Sequence, residues 1–158
     1  MNLGIQFILL GNGEPKYEDF FKWKERQYPE RVCSYIGFNQ PLSIDIYSGA
    51  DMFLMPSIFE PCGLSQMIAM RYSCVPIVRE TGGLKDTVTP YNEFTGEGDG
   101  FGFKNVSGEE LLKTLEYAIS VYKDKPQWEK VVKNAKARDN NWDTSAKKYI
   151  ELYKKVEE

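Results

Sequence analysis

Histidine is absent from this sequence of 158 residues, and cysteine is scarce. Without histidine, the chain cannot itself supply a Ser-His or Cys-His catalytic pair or a histidine metal ligand. The cysteines, Cys33, Cys62 and Cys74, form no C-x-x-C pair. Their number and spacing argue against a disulfide framework or a zinc site and favour reduced thiols in a cytosol. Carboxylates, backbone dipoles and Lys or Arg side chains must therefore supply any chemistry, and we expect no metal.

A strong charge of one sign and long apolar runs are also missing. The formal net charge is −3, which gives no electrostatic support for a nucleic-acid partner. No apolar run is long enough to span a bilayer and no signal-peptide pattern is present, so we expect a cytoplasmic protein without a membrane partner. The composition, 42% hydrophobic and 27% charged, is that of an ordinary globular domain.

Short apolar runs alternate with amphipathic segments along most of the chain. The predicted strands cover residues 4–11, 32–37, 52–55, 75–79 and 101–103. The predicted helices cover residues 17–28, 43–50, 63–72, 81–88, 108–122, 127–138 and 143–155. Residues 89–100, rich in Gly, Pro and acids, are predicted to form an exposed loop. Strands that alternate with helices predict an α/β fold with a Rossmann-like, doubly wound parallel sheet.

Residues 55–65, MPSIFEPCGLS, are the most informative stretch. They place the carboxylate of Glu60 beside a Pro-Cys-Gly turn. The turn residues Cys62-Gly63-Leu64-Ser65 lead into a predicted helix. Unpaired N–H groups and the helix dipole favour an anion at such a turn, and a glycine lets it come close. A carboxylate next to such a turn suits a ligand with both phosphates and sugar hydroxyls. From position alone, Glu60 is equally compatible with a solvated loop acid, and Gly63 with a tight turn.

Three other features could contact the same ligand. Thr81-Gly82-Gly83 follows another predicted strand and offers either an anion nest or a simple glycine turn. Two such loops at one sheet edge favour a shared ligand. Phe38 could stack on a base, although its position favours the core. Gly11-Asn12-Gly13 resembles the start of a dinucleotide fingerprint, but Lys16 stands where the third glycine belongs.

The stretches 55–66 and 75–88 closely resemble bacterial glycogen synthase and plant starch synthase. Support comes from LLGNGEP at 9–15, GFN at 37–39, IYSGAD at 46–51 and KYIELY at 148–153. The resemblance implies one half of a GT-B fold, the donor-binding half, and transfer of glucose from ADP-glucose to the non-reducing end of an α-1,4-glucan with retention. ADP would be the product, and no cofactor is implied.

The resemblance also implies roles for individual residues. Glu60 would contact the donor glucose and support charge at the reacting carbon. The backbone of Cys62, Gly63, Leu64 and Ser65 would bind the diphosphate. Phe38 would stack on the base, and Thr81, Gly82 and Gly83 would line the sugar and phosphate side. Ile68 stands where related transferases often carry a second acid.

The resemblance further implies a nucleotide-sugar-binding domain over 1–141, which lacks its first strand and helix, and a crossover helix over 142–158. The glucan-binding domain and an Arg/Lys pair before residue 4 would be missing, so we expect the chain alone to be inactive. The final helix is expected to lose the partner of its apolar face. The alternatives are a non-catalytic nucleotide-binding Rossmann module and, less compatible with the glycine pattern, a dinucleotide oxidoreductase domain.

Overall fold

The computed structural model describes residues 3–157, and the chain forms two compact units, one ending at Ala50 and one beginning at Asp51. Both units are built from parallel strands joined by helices. The α/β class predicted from the sequence is confirmed. The predicted boundary between residues 141 and 142 stays a prediction.

The first unit contains one parallel strand pair. Strand β1 (Phe7–Gly11) pairs with β2 (Val32–Ile36) in a register that runs from Phe7 opposite Val32 to Gly11 opposite Ile36. Helix α1 (Pro15–Gln27) connects them, and α2 (Gln40–Gly49) follows. The rings of Phe7 and Phe21 stack 5.7 Å apart. None of residues 3–50 is fully enclosed.

The second unit contains a three-stranded parallel sheet in the order β3-β4-β5. Its elements are β3 (Met52–Met55), α3 (Ser65–Arg71), β4 (Val75–Arg79), α4 (Gly82–Thr87), β5 (Phe101–Phe103), α5 (Gly108–Lys123), α6 (Lys125–Ala137) and α7 (Trp142–Glu157). Residues 75–78 of the central strand β4 are all buried, as is usual for a parallel strand covered on both faces. One core cluster joins Val75, Ile77 and Phe101 to helices α5 and α6.

Side-chain caps fix several helix starts. Ser107 accepts a hydrogen bond from the Glu110 backbone N–H at the start of α5, the usual role of a serine just before a helix. Asn39 caps α2 by accepting from the Leu42 N–H, so this helix begins at Gln40 and not at the predicted Ser43. Pro41 lies within the first turn, where a missing N–H costs nothing.

The segment 89–100 is only partly exposed, in contrast to the loop that its sequence predicts. Tyr91 and Asp99 are 5% and 7% exposed. The Asn134 side chain donates to two carbonyls of the segment, and Arg138 pairs with Asp99 at 2.5 Å. Polar side chains on α6 therefore satisfy the segment's polar groups, which lets it pack closely on the unit.

Helix α7 presents an exposed apolar surface. Trp142 is 86% exposed and Tyr149 57%. From the sequence alone, Trp142 and Tyr149 are most simply interpreted as packing residues. Their exposure contradicts that interpretation and agrees with the expectation of an uncovered apolar face on this helix. Within residues 3–157, no helix combines the length and apolar character needed to cross a membrane.

Candidate functional site

Two neighbouring parallel strands bring the predicted site residues of the second unit together. Strand β3 pairs with β4, and Met55 lies opposite Val78, so both strands end at the same edge of the sheet. Residues 56–64, named the Glu60 loop here, follow β3 and lead into α3. The turn Thr81-Gly82-Gly83 follows β4 and leads into α4.

The Glu60 loop lies directly on the glycine turn. The Gly83 N–H points to the carbonyl oxygens of Glu60 and Pro61, each 3.2 Å away. A Cβ on Gly82 would stand 2.0 Å from the Glu60 oxygen, and one on Gly83 would stand 2.1 Å from the Cys62 oxygen. Only glycine permits this approach. The two loops lie at one edge of the sheet, as predicted, whereas a ligand shared between them stays a prediction.

A buried glutamine joins the loop to both helices. Gln66, in α3, is fully enclosed, and its Nε2 lies 3.2 Å from the Cys62 oxygen and 2.9 Å from the Gly63 oxygen. Nε2 also donates to the hydroxyl of Thr87 in α4, which in turn donates to the Gly83 oxygen. Gly63 has a φ of +74°, and a Cβ there would meet Gln66 Oε1 at 2.5 Å, so glycine is required on both counts.

An arginine holds the other end of the loop. Arg79, the last residue of β4, donates from Nε to the Ser57 oxygen at 2.7 Å and from Nη2 to the Ile58 oxygen. Its Nη1 reaches the Lys104 oxygen at 3.3 Å. The guanidinium therefore ties the Glu60 loop to β4 and to the segment after β5.

The loop is consequently held through its carbonyl groups. Bound carbonyls belong to Ser57, Ile58, Glu60, Pro61, Cys62 and Gly63. Among the bonds of the described residues, none uses a backbone N–H between Ser57 and Ser65. The helices beginning at Ser65 and Gly82 start without a side-chain cap. Donors are thus available along the loop, where an anionic ligand could use them.

The predicted side chains of this loop differ in exposure. The Glu60 side chain is half-buried, and no hydrogen bond or ion pair from residues 3–157 reaches its carboxylate. Cys62 is exposed, and Leu64 is 65% exposed, whereas Ser65 and Thr81 are half-buried. A carboxylate without a protein partner, beside unused N–H donors, can accept hydrogen bonds from a polyhydroxyl ligand.

Phe38 lies in the first unit, directly after β2. It follows Gly37, which has a φ of +148°, and its side chain is 88% exposed. The interpretation of Phe38 as a core residue is therefore wrong. Its role in base stacking stays a prediction.

The glycine turn after β1 does not present a free phosphate cradle. The Gly13 N–H donates to the Glu18 carboxylate at 2.9 Å, and Lys16 pairs with Glu14 at 2.8 Å. Acidic groups thus occupy the donors that a dinucleotide pyrophosphate would need, in agreement with the incomplete glycine pattern.

The fold is that of an α/β domain with loops meeting at the carboxyl ends of parallel strands, and comparison with known proteins identifies the family. The family model described as "Glycosyl transferases group 1" matches residues 1–138. The chain therefore belongs to the group 1 glycosyl transferases.

Within this family, the chain is similar in sequence to bacterial glycogen synthases. The chain is 65% identical over 156 residues to glycogen synthase from Fusobacterium nucleatum, covering 99% of this chain and 34% of that protein. It is 52% identical over 152 residues to glycogen synthase from Clostridium beijerinckii, covering 96% and 32%.

A solved structure shows the same similarity. The catalytic domain of starch synthase IV from Arabidopsis thaliana, bound to ADP and acarbose, superposes with a TM-score of 0.86 at 38% identity, over 98% of this chain and 33% of that one. The chain thus resembles half of a GT-B fold, and it spans about a third of the length of the relatives that it matches.

Residue patterns did not point to Gln66, Thr87 or Arg79. Their contacts depend on which carbonyl groups the folded loop turns toward them. The only sequence signals were a polar residue one position into a helix and a charged residue at the end of a buried strand.

Proposed function

We propose that this chain is the donor-binding part of a glycogen or starch synthase, which transfers glucose from ADP-glucose to the non-reducing end of an α-1,4-glucan with retention. One observation carries the proposal: the Glu60 loop is held by its carbonyls, while its N–H groups and the Glu60 carboxylate have no partner among the described residues. The glycogen synthase relatives and the ADP-bound starch synthase support the donor and the reaction.

In this proposal, Glu60 accepts hydrogen bonds from hydroxyls of the donor glucose. A carboxylate held near the reacting carbon also stabilises the positive charge that develops there as the diphosphate departs. The fixed backbone beneath Glu60 matters because preorganised groups need not reorient during the reaction.

The leaving diphosphate is assigned to backbone N–H groups. In this proposal, those of Cys62, Gly63, Leu64 and Ser65 bind it, and the Thr81-Gly82-Gly83 turn lines the sugar and phosphate side next to the loop. Hydrogen bonds from neutral donors to a charged oxygen are stronger than those between neutral groups. The exposed ring of Phe38 would stack on the adenine.

The partners are therefore a nucleotide-sugar donor and, in the whole protein, a glucan acceptor. No cofactor takes part in this scheme, and ADP is the product. The acceptor and the stereochemical outcome rest on the similarity to the relatives, of which this chain covers about a third.

Calorimetric titration of the chain with ADP, UDP and NAD tests the proposal. We expect ADP to bind more tightly than UDP or NAD. Tighter binding of UDP would replace the proposed donor by a uridine nucleotide-sugar. Preference for NAD would contradict the transferase assignment and support an oxidoreductase domain.

A further inference from the structure

Two side chains hold the Glu60 loop, Arg79 of β4 near its beginning and Gln66 of α3 near its end. Arg79 takes the carbonyl oxygens of Ser57 and Ile58, before Glu60. Gln66 takes those of Cys62 and Gly63, after Glu60. Neither side chain is needed to form the secondary structure in which it lies, since β4 and α3 are held by their own backbone bonds.

Arg79 has an unusual set of partners for an arginine. All three of its nitrogens donate to backbone carbonyls, and Arg79 forms no ion pair with an acid of residues 3–157. The planar fork suits this task because its donors diverge in fixed directions, which a lysine ammonium on a flexible stem cannot reproduce. Arg79 also leaves its positive charge uncompensated next to the loop.

The buried position of Gln66 leaves one polar atom of its side chain unpaired among the described residues. Its Oε1 is buried and accepts no hydrogen bond from the described residues, an arrangement that native structures usually avoid. A methionine would fill a similar volume without that unpaired acceptor. The amide adds its Nε2 donors, which bind the loop at two carbonyls and α4 at Thr87.

We propose that Arg79 and Gln66 are positioning residues of the donor site: by binding the carbonyls on either side of Glu60, they fix its carboxylate and turn the N–H groups of the loop toward the ligand. This inference rests on the proposed function for the identity of the ligand. The fixing of the loop itself is a property of the chain that can be measured without one.

The test compares matched variants of the 158-residue chain. Arg79→Lys keeps the charge but loses the fork, and Gln66→Met keeps the volume but loses the donors. Gln127→Met is the control, because Gln127 also reaches a loop carbonyl, that of Glu93, and the Tyr91 hydroxyl, in another part of the same unit. Thermal unfolding by circular dichroism verifies that each variant is folded.

Backbone ¹⁵N relaxation gives the first readout. We expect order parameters near about 0.85 for Glu60 and Cys62 in the parent chain, and values below about 0.6 in Arg79→Lys or Gln66→Met. The Gln127→Met control should keep the parent values. Unchanged order parameters in both folded test variants would overturn the proposal. Should Gln66→Met fail to fold, Arg79→Lys decides alone.

ADP affinity gives the second readout. We expect the dissociation constant for ADP to rise about tenfold in both test variants and to stay constant in the control, because a loop that is mobile in the free chain must be ordered when the ligand binds. A mobile loop with unchanged ADP affinity would overturn the link to the donor site. Failure of the parent chain to bind ADP would instead refute the proposed function, and the relaxation data would still decide whether the two side chains fix the loop.

Discussion

Replacing Gly83 with alanine tests the close approach on which the site depends. The Gly83 backbone needs no left-handed conformation, unlike Gly82 with its φ of +44°, so the substitution probes contact alone. The added Cβ would lie 2.1 Å from the Cys62 oxygen and 2.5 Å from the Cys62 Cα. Both atoms belong to the backbone, and no side chain can rotate away to make room.

The size of the effect follows from these distances. Ordinary contact begins near 3.4 Å, so the Cys62 backbone must withdraw by about 1 Å or more, and overpacking of this kind costs about 1–3 kcal/mol. The withdrawal also weakens the Gly83 N–H bonds to the Glu60 and Pro61 oxygens. Because each kcal/mol corresponds to about 2–4 °C in a chain of this size, we expect Tm to fall by about 2–12 °C.

The assay is thermal unfolding together with ADP titration of Gly83→Ala. Gly108→Ala is the control, since a Cβ at Gly108 meets nothing within 4 Å at the exposed start of α5. Alanine there should leave Tm unchanged or raise it slightly. ADP affinity should fall in Gly83→Ala only. A Gly83→Ala chain with the Tm and ADP affinity of the parent would refute the inference that the Glu60 loop lies on this glycine.

Three further outcomes are expected. Glu60→Gln should leave Tm unchanged, since no described residue binds the carboxylate. In calorimetric titration it should lower the affinity for ADP-glucose but not that for ADP. An equal loss of affinity for both ligands would contradict the sugar contact. Burial raises the pKa of the Cys74 thiol to about 12. A thiol reagent at pH 8 should therefore modify only the two exposed cysteines until denaturant is added. Because the pKa of this thiol is higher in the folded than in the unfolded chain, the stability that it contributes is lost as pH rises from about 9 toward 12. Asp99→Asn should lower the urea-derived free energy of unfolding by about 1–3 kcal/mol, because Arg138 loses its charged partner; no change would contradict that role.

The sequence predicts the buried strands best. The bounds of β3, β4 and β5 are as predicted, because each is a compact apolar run between turn residues. Segment 89–100 was the main failure. Its Gly, Pro and acidic content indicated solvent exposure, but the amide of Asn134 and the guanidinium of Arg138 satisfy its polar groups from another element. Such long-range compensation leaves no local pattern.

The sequence likewise predicts the loops of the site but not the long-range contacts that hold them. The Glu60 loop and the Gly82-Gly83 turn follow adjacent parallel strands, so their meeting could be inferred from topology. Gln66 and Arg79 could not be found in this way, because their roles arise from loop carbonyls that only the folded backbone brings within reach. The ligand contacts of the site residues stay predictions.

The central claim is that the Glu60 loop binds the donor nucleotide-sugar, and NMR titration of the ¹⁵N-labelled chain with ADP-glucose tests it most directly. We predict the largest amide shifts at Gly63, Leu64 and Ser65 and at Gly82 and Gly83, together with a shift at Phe38. The same ligand should leave the amides of helix α6 unperturbed. Shifts confined to other segments, or none at millimolar ADP-glucose, would contradict the claim.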